Sequence, residues 1–266
     1  MIIASDLDRT LIYSQRAIDQ LGHATGMGLK PVEKKDGKYV SYMTELSLCL
    51  LEEICRHSLF VPVTTRTEEQ FNRITIFHKI VAVPYVITSN GANILFKGEK
   101  IHGWSEHIAS RMRRETAPLK EVVSFFHKEV FSSETVIKQV EDLFFYFIFN
   151  RTPVCLDKQA IAKAASSFGW SVSLQGRKLY FIPKPINKGD ALSYICDREG
   201  INAAAGAGDS VLDWEFLARC KFRFVPRDGE LASELNETDA ILTKNRGVLA
   251  GEEILQQFLS LLAIKN

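Results

Sequence analysis

Four carboxylates of the chain stand where short apolar runs of the sequence end. Asp6 and Asp8 follow the run 1–5, and Asp209 and Asp213 follow an Ala/Gly-rich run. The carboxyl ends of the strands of an open parallel α/β sheet border one crevice, so these side chains can converge although they are far apart in sequence. Carboxylates gathered there repel each other unless protons or a cation offset the charge. The sequence therefore predicts a divalent cation such as Mg²⁺, which takes oxygen ligands and accepts waters and phosphate oxygens.

Asp6 and Asp8 are separated by one residue, so the two carboxylates can approach the same substrate from different angles as the strand opens into a loop. One could attack phosphorus to form an aspartyl phosphate. The other could protonate the leaving oxygen and later activate the hydrolytic water. An isolated Asp-x-Asp is more often a polar loop or a helix cap. Its companions in the sequence favour the catalytic interpretation.

A lysine and two threonines are suited to hold a phosphoryl group. Lys188 opens a predicted helix, where the macrodipole disfavours a cation by roughly 0.3–1 kcal/mol. We therefore expect an anionic partner for it, such as a phosphoryl group and Asp6; the alternative is a solvated surface lysine. Thr64 and Thr65 follow a second apolar run, and a hydroxyl there can donate to a phosphate oxygen, although most strand-end threonines are structural.

These residues need a sheet whose strands end at one edge. The apolar runs 1–5 and 59–63 flank a helix predicted at 45–56, and a strand, helix, strand order indicates a right-handed parallel crossover. We therefore predict an α/β fold with a doubly wound, mainly parallel, Rossmann-like sheet. Residues 31–43 carry an Asp-Gly turn signal at 36–37 between short alternating segments, which predicts a hairpin flap.

The pattern of the sequence changes in its middle part. Predicted strands at 143–149 and 178–182 alternate with helices there, which indicates an α+β module inserted into the first domain. The predicted division is a core of 1–83 plus 186–266 and an insert of 84–185. The aromatic run at 143–149 is more typical of a buried strand than of a platform for stacking bases.

Composition excludes several classes of partner. The 33 basic residues nearly balance the 32 acidic ones, so no net field favours nucleic acid or an anionic membrane. The five cysteines are spread out with no CxxC pair, the first residues do not resemble a signal peptide, and no run of apolar residues is long enough to span a membrane. We expect a cytoplasmic protein whose partner is a small phosphorylated metabolite.

The order of these motifs resembles a known family. Asp6–Thr10, Thr64, Lys188 and Gly208–Asp213 are similar to the four motifs of the haloacid dehalogenase superfamily of phosphatases. The large insert between the second and third motifs, with Ser89–Ala92 near its start, resembles the branch that includes the Cof-type, sucrose-phosphate and mannosyl-3-phosphoglycerate phosphatases.

The resemblance implies roles for the four carboxylates. Asp6 would be the nucleophile and a Mg²⁺ ligand. Asp8 would be the acid/base and would offer its backbone carbonyl to the metal. Asp209 would complete the protein ligands, with Asp213 as a further ligand or a supporting group.

The resemblance also implies how the substrate is held. Thr64 and Lys188 would bind the phosphoryl group, and the adjacent Thr65 is our further candidate for the same role. Independently of the resemblance, we take Arg66 and Asn90 as candidates for substrate contacts. The insert would be a mobile cap that closes over the site, excludes water and selects the leaving group.

Three positions depart from the family pattern. Arg9 and Thr65 replace glycines that are common in the first and second motifs, and Leu212 replaces an asparagine that many relatives carry. None of these changes removes a group that the chemistry requires. The sequence therefore predicts a Mg²⁺-dependent phosphatase that forms an aspartyl phosphate on Asp6. A phosphomutase on the same scaffold and a non-catalytic module that binds a phosphorylated ligand are the alternatives.

Overall fold

A computed structural model of the chain describes residues 1–21, 28–129, 135–151, 156–236 and 238–263. The chain forms two compact units. The first, called the core below, consists of Met1–Lys100 and Lys188–Asn266, and the second, called the insert, consists of Ile101–Asn187. The two units are described separately.

The strands in chain order are β1 Ile2–Ser5, β2 Tyr13–Ser14, β3 Leu29–Lys35, β4 Lys38–Thr44, β5 Leu59–Pro62, β6 Tyr85–Thr88, β7 Asn93–Phe96, β8 Glu99–Lys100, β9 Val136–Val140, β10 Phe144–Ile148, β11 Trp170–Gln175, β12 Lys178–Pro183, β13 Ala203–Ala207, β14 Phe222–Val225 and β15 Ile241–Leu242.

The α-helices in chain order are α1 Gln15–Leu21, α2 Glu45–His57, α3 Glu68–Phe71, α4 Ile76–Lys79, α5 His102–Glu115, α6 Leu119–Glu129, α7 Lys158–Ser167, α8 Lys188–Glu199, α9 Trp214–Leu217 and α10 Val248–Ala263. Short 3-10 turns span Ser89–Gly91, Val211–Asp213 and Leu231–Ser233. Within the described ranges, no helix is long and apolar enough to cross a membrane.

A five-stranded sheet forms the centre of the core. Its order is β15-β14-β13-β1-β5, and every pairing in it is parallel. Each residue of β1 is buried, as expected for a strand of a parallel sheet that is covered on both faces. The predicted α/β fold with a doubly wound parallel sheet is therefore confirmed.

Helices cover the two faces of this sheet. Leu51 of α2 and Phe258 of α10 belong to one buried apolar cluster with Ile3 and Phe60 of the sheet. On β13, Gly206 faces the other way, against α9, where an added Cβ would lie 3.1 Å from the Leu217 side chain. The alternation of side-chain direction along each strand thus places a helical layer on either side.

Gly189 allows α8 to approach α9. A Cβ at this position would lie 2.2 Å from the carbonyl oxygen of Glu215. We therefore expect Gly189→Ala to lower the free energy of unfolding by about 1–3 kcal/mol, as overpacking usually does, although alanine is the better helix former by about 1 kcal/mol. Urea unfolding measures the change. Gly103→Ala near the start of α5, with no atom within 4 Å of the added Cβ, is the control and should be neutral or stabilising. Equal effects of the two substitutions would contradict the packing argument.

The predicted hairpin is present as β3 and β4, which pair antiparallel. Lys35 pairs with Lys38, so the turn consists of two residues. Both of them, Asp36 and Gly37, have left-handed φ angles of 48° and 79°. This is the backbone that an Asp-Gly turn between two twisted strands favours.

The segment 85–100 belongs to the core, so the predicted start of the insert at residue 84 is wrong. β6, β7 and β8 form an antiparallel sheet. Its first strand is tied to the end of β5, because Thr64 N–H donates to the Ile87 carbonyl at 2.9 Å and Asn90 N–H donates to the Thr64 carbonyl at 3.1 Å. The insert begins at Ile101 instead. An apolar strand pattern cannot indicate which unit a strand hydrogen-bonds to.

The insert has its own sheet and core. Its four strands are antiparallel in the order β11-β12-β10-β9. Phe145 and Phe181 stack with ring centroids 4.8 Å apart, and Phe126 and Phe147 are fully buried beside them. The aromatic run is thus the core of the insert, as its sequence indicates.

Candidate active site

Parallel pairing brings the ends of three strands of the core together. Asp6 N–H donates to the Ala207 carbonyl at 2.8 Å, and Val63 N–H donates to the Ser5 carbonyl at 2.8 Å. Asp6 at the end of β1 therefore lies between the loop that follows β5 and the loop that follows β13. The residues predicted to converge from distant parts of the sequence begin at this edge.

Asp6, Asp209 and Asp213 form a compact group of carboxylates. Each offers one oxygen that lies within 4.8 Å of those of the other two, and the three residues are buried, with exposed fractions of 5%, 8% and 0%. Gly208 makes this possible, because a Cβ there would lie 2.4 Å from the Cβ of Asp213. The glycine lets the turn that carries Asp213 fold back against the end of β13.

Lys188 lies inside this group as the first residue of α8. Its Nζ donates to Asp6 Oδ1 at 2.7 Å and to Asp213 Oδ1 at 2.5 Å, and only 1% of the residue is exposed. Burial alone would lower the pKa of Lys188, but the carboxylates of Asp213 and Asp6 raise it above its usual range. The two carboxylates favour the charged ammonium, and they supply anionic partners at a helix start, where the macrodipole disfavours a cation.

Asp213 is held at both oxygens. Oδ1 accepts from Lys188, and Oδ2 accepts from the Ser210 backbone N–H at 2.9 Å. The Ser210 hydroxyl in turn accepts from the Leu212 N–H, which completes a capping box around the 3-10 turn. In this structure Asp213 orients Lys188, which leaves Asp6 and Asp209 as the carboxylates with the larger freedom to take a cation.

The group has three carboxyl groups and one ammonium, so it would carry surplus negative charge if all three carboxyls were ionised. Burial, with the charge of Asp213, raises the pKa of Asp6 to about 8. Burial, with the charge of Asp6, raises the pKa of Asp209 well above its usual value. Closely spaced carboxylate oxygens with surplus charge fit a hard divalent cation. The residues that would hold it are Asp6 and Asp209, with Asp213 next to them.

These raised pKa values predict how pH and metal act on stability. A carboxyl with a raised pKa binds its proton more tightly in the folded state, so without metal the free energy of unfolding should fall as pH rises from about 4 to about 8. Mg²⁺ binds the deprotonated form. Mg²⁺ should therefore raise the melting temperature more at pH 8 than at pH 5. At a Mg²⁺ concentration of 100 times the dissociation constant, the free energy of unfolding should rise by about 2.7 kcal/mol.

Thermal unfolding after treatment with EDTA, with and without MgCl₂, measures the effect of the metal. NaCl at the same ionic strength is the control for screening. A magnesium shift that is equal at both pH values would contradict binding at these carboxylates.

The side chain of Asp8 lies outside the group and binds Arg66. Arg66 Nε donates to Asp8 Oδ2 and Nη2 donates to Asp8 Oδ1, both at 2.7 Å. Arg66 also pairs with Glu33, with Nη1 at 2.9 Å from Oε1. Arg66, which we predicted as a candidate substrate contact, has a side chain that is only 11% exposed, and its guanidinium binds two carboxylates.

The remaining predicted residues surround the end of β5. Thr64 is fully buried, and its Oγ1 accepts from the Arg66 backbone N–H at 3.1 Å. Thr65 is partly exposed. Asn90, with a left-handed φ of 59°, is buried and hydrogen-bonds through its backbone to Thr64. Asn90 and Thr64, which belong to two separate motifs of the sequence, are thus neighbours in the structure.

Three residues gain a place that sequence reasoning did not assign. Thr10 Oγ1 lies 3.5 Å from Asp6 Oδ2. Arg9 has a left-handed φ of 63° and lies with Nε 3.9 Å from Asp209 Oδ2. Glu33, on β3, is buried against Arg66. The glycine that is common at position 9 in the family pattern is a signal for the left-handed backbone of Arg9. Nothing in the local sequence marks Glu33.

Comparison with known proteins gives the same fold. No model of a known protein family matches the chain. A curated phosphoglycolate phosphatase from Staphylothermus marinus is 30% identical over 90 residues, which are 33% of this chain and 37% of that protein, so the match spans little more than a third of the relative's length.

Solved structures match over nearly the full length. The sucrose-phosphatase of Synechocystis sp. PCC6803, solved in complex with sucrose and phosphate, is 12% identical with 97% of each chain covered and a TM-score of 0.67. A sugar phosphatase of HAD subclass IIB is 13% identical with 99% of each chain covered and a TM-score of 0.59. The chain therefore has the fold of the phosphatases of the haloacid dehalogenase superfamily, with a core of α/β type and an inserted α+β unit.

Proposed function

We propose that the protein is a Mg²⁺-dependent phosphatase that hydrolyses a small phosphate ester through an aspartyl phosphate on Asp6. The observation that carries the proposal is the buried ammonium of Lys188 at 2.7 Å from Asp6 Oδ1. A carboxylate at the end of a strand, beside a fixed cation and further acidic ligands, is suited to attack a phosphate whose charge the site neutralises.

The first half of the reaction transfers the phosphoryl group to the protein. An oxygen of Asp6 forms a bond to phosphorus while the bond from phosphorus to the leaving oxygen breaks. Asp8 gives its proton to that oxygen, so the product leaves as an alcohol. Bound Mg²⁺ would neutralise phosphate charge and orient the phosphoryl group.

The second half returns the protein to its starting state. Asp8, now a carboxylate, takes a proton from water as the water oxygen attacks phosphorus. The bond between phosphorus and Asp6 breaks, and inorganic phosphate is released. Throughout, Lys188 stabilises the charge that Asp6 and the phosphoryl oxygens share, and the Thr64 and Thr65 hydroxyls are the groups we expect to donate to those oxygens.

A phosphorylated sugar or a related metabolite is the substrate class that the comparisons favour. Two of the matched structures are named as a sucrose-phosphatase and a sugar phosphatase, and the curated relative is named as a phosphoglycolate phosphatase. All three names describe a small, polar, phosphorylated molecule. The insert, as a cap, would select the part of the molecule that leaves.

Release of inorganic phosphate from a panel of phosphorylated metabolites tests the proposal. Mg²⁺ should be required, EDTA should stop the release, and the Asp6→Asn variant should serve as the blank. Release without a bisphosphate activator would exclude the phosphomutase alternative. Tight binding of a phosphate ester without any release from the panel would instead support a non-catalytic binding module and contradict the proposal.

A further inference from the structure

We propose that Arg66, anchored by Glu33 of the β3–β4 hairpin, is a positioning residue that sets the orientation of the Asp8 carboxylate. This inference rests on the proposed function, in which Asp8 serves as acid and then as base. Under this proposal Arg66 acts through Asp8 and does not make the substrate contact that we predicted from the sequence.

The contact between Arg66 and Asp8 has the geometry that fixes a carboxylate plane. Two nitrogens of the guanidinium each donate to a different oxygen of Asp8 at 2.7 Å. Parallel paired hydrogen bonds of this kind constrain both direction and rotation, which a single hydrogen bond does not. Asp8 needs such a constraint, because its side chain is 49% exposed in the loop after β1.

Glu33 anchors the arginine from the other side. Its side chain is 4% exposed and lies 2.9 Å from Arg66 Nη1, and Arg66 Nη2 also donates to it at 3.0 Å. The Ser41 hydroxyl on β4 donates to Glu33 at 2.6 Å, so the carboxylate is itself held. The register of the hairpin shifts on either side of Glu33, and such a bulge redirects a side chain.

All three nitrogens of the Arg66 guanidinium have partners. Besides the two carboxylates, Nη1 lies 3.4 Å from the carbonyl oxygen of Gln70, and the side chain is only 11% exposed. A substrate could bind Arg66 only by displacing one of these partners, and the pair of Arg66 with Glu33 is buried. Acting through Asp8 requires no displacement, and it links the placement of the hairpin to the orientation of the acid/base.

The test compares two substrates that differ in their need for a proton. An alkyl phosphate has a poor leaving group that requires general acid catalysis, whereas p-nitrophenyl phosphate releases p-nitrophenolate, an anion that is stable without a proton. General acid–base catalysis contributes about 10²–10⁴-fold. We therefore expect Arg66→Ala to lower kcat/KM, which reports phosphoryl transfer to Asp6, by about 100-fold for the alkyl ester and by less than about 10-fold for the aryl ester. Hydrolysis of the aspartyl phosphate is the same step for both esters, so kcat does not separate them where that step limits turnover.

Two further variants and one additive sharpen the test. Arg66→Lys keeps the charge but loses the paired geometry, so it should show the same selectivity for the leaving group, and it replaces Arg66→Ala should that variant fail to fold. Added guanidinium ion should restore part of the activity of Arg66→Ala. In an Asp8→Asn background, Arg66→Ala should cause little additional loss, because both changes remove the same function.

Arg56→Ala is the matched control, since Arg56 is an exposed arginine of α2 that pairs with Glu52 and Glu53 on the surface. It should leave both rates unchanged. A raised KM with an unchanged kcat in Arg66→Ala would identify a substrate contact and overturn the proposal, as would equal losses of kcat/KM on the two esters. If the wild type hydrolyses neither ester nor any of the panel, the proposed function itself fails; if it hydrolyses both and Arg66→Ala does not discriminate, only the positioning role fails.

Discussion

Asp6→Asn is expected to abolish phosphate release while the protein stays folded. An amide cannot attack phosphorus as a carboxylate does, so the covalent route is lost, and removal of a nucleophile typically lowers kcat by about 10⁴-fold or more. The fold should tolerate the change because asparagine has nearly the same shape. It also removes one charge from a buried group in which burial and Asp213 already raise the pKa of Asp6.

The measurement pairs a phosphate-release assay with thermal unfolding in EDTA. The melting temperature of Asp6→Asn should equal or exceed that of the wild type, since Lys188 keeps Asp213 as a partner. Asp19→Asn changes an exposed aspartate of α1 in the same way and should retain full activity. Asp6→Asn activity within about tenfold of the wild type would rule out Asp6 as the nucleophile, because loss of a nucleophile costs far more than that.

Lys188→Met is expected to damage both stability and activity. Methionine fills a similar volume but leaves Asp6, Asp209 and Asp213 buried without the cation between them. Removing one partner of a buried ion pair typically costs about 3–5 kcal/mol, because the other charge is left uncompensated. Catalysis should fall by about 10²–10³-fold, the usual loss when one group that stabilises transition-state charge is removed.

A second substitution separates the two effects. Lys188→Met combined with Asp213→Asn removes one positive and one negative charge, so the free energy of unfolding should recover while activity stays lost. Urea unfolding without metal measures stability, and Lys79→Met, at an exposed lysine of α4, is the control. Added Mg²⁺ should also restore part of the stability of Lys188→Met by supplying positive charge. If Lys188→Met alone were as stable as the wild type in neutral, metal-free buffer, Lys188 would not be coupled to the buried carboxylates as described.

The convergence of the carboxylates could be predicted because it depends on topology. Once β1, β5 and β13 are parallel neighbours, the residues that follow them must lie at one edge of the sheet. The predicted partner of Lys188 follows from elementary electrostatics, since a buried ammonium at a helix start needs an anion, and the structure places Asp6 at 2.7 Å from it.

The network of Arg66, Glu33 and Asp8 could not be predicted from the sequence. Glu33 lies in an alternating stretch of a hairpin with charged neighbours, and local periodicity gives no reason to expect it to be buried. Its direction depends on the shift in register next to it. The boundary error at residue 84 has a similar cause, because the attachment of β6 to the core is made by hydrogen bonds to residues at the end of β5.

Lys188 is also the residue at which the chain re-enters the core after the insert. Two contacts fix this junction from the core side: the ammonium rests on Asp6 and Asp213, and Gly189 is pressed against the backbone of Glu215. Length changes upstream would therefore be absorbed before the ammonium is reached. A change of length between residues 101 and 187 is therefore expected to leave the ammonium at its place beside Asp6 and Asp213.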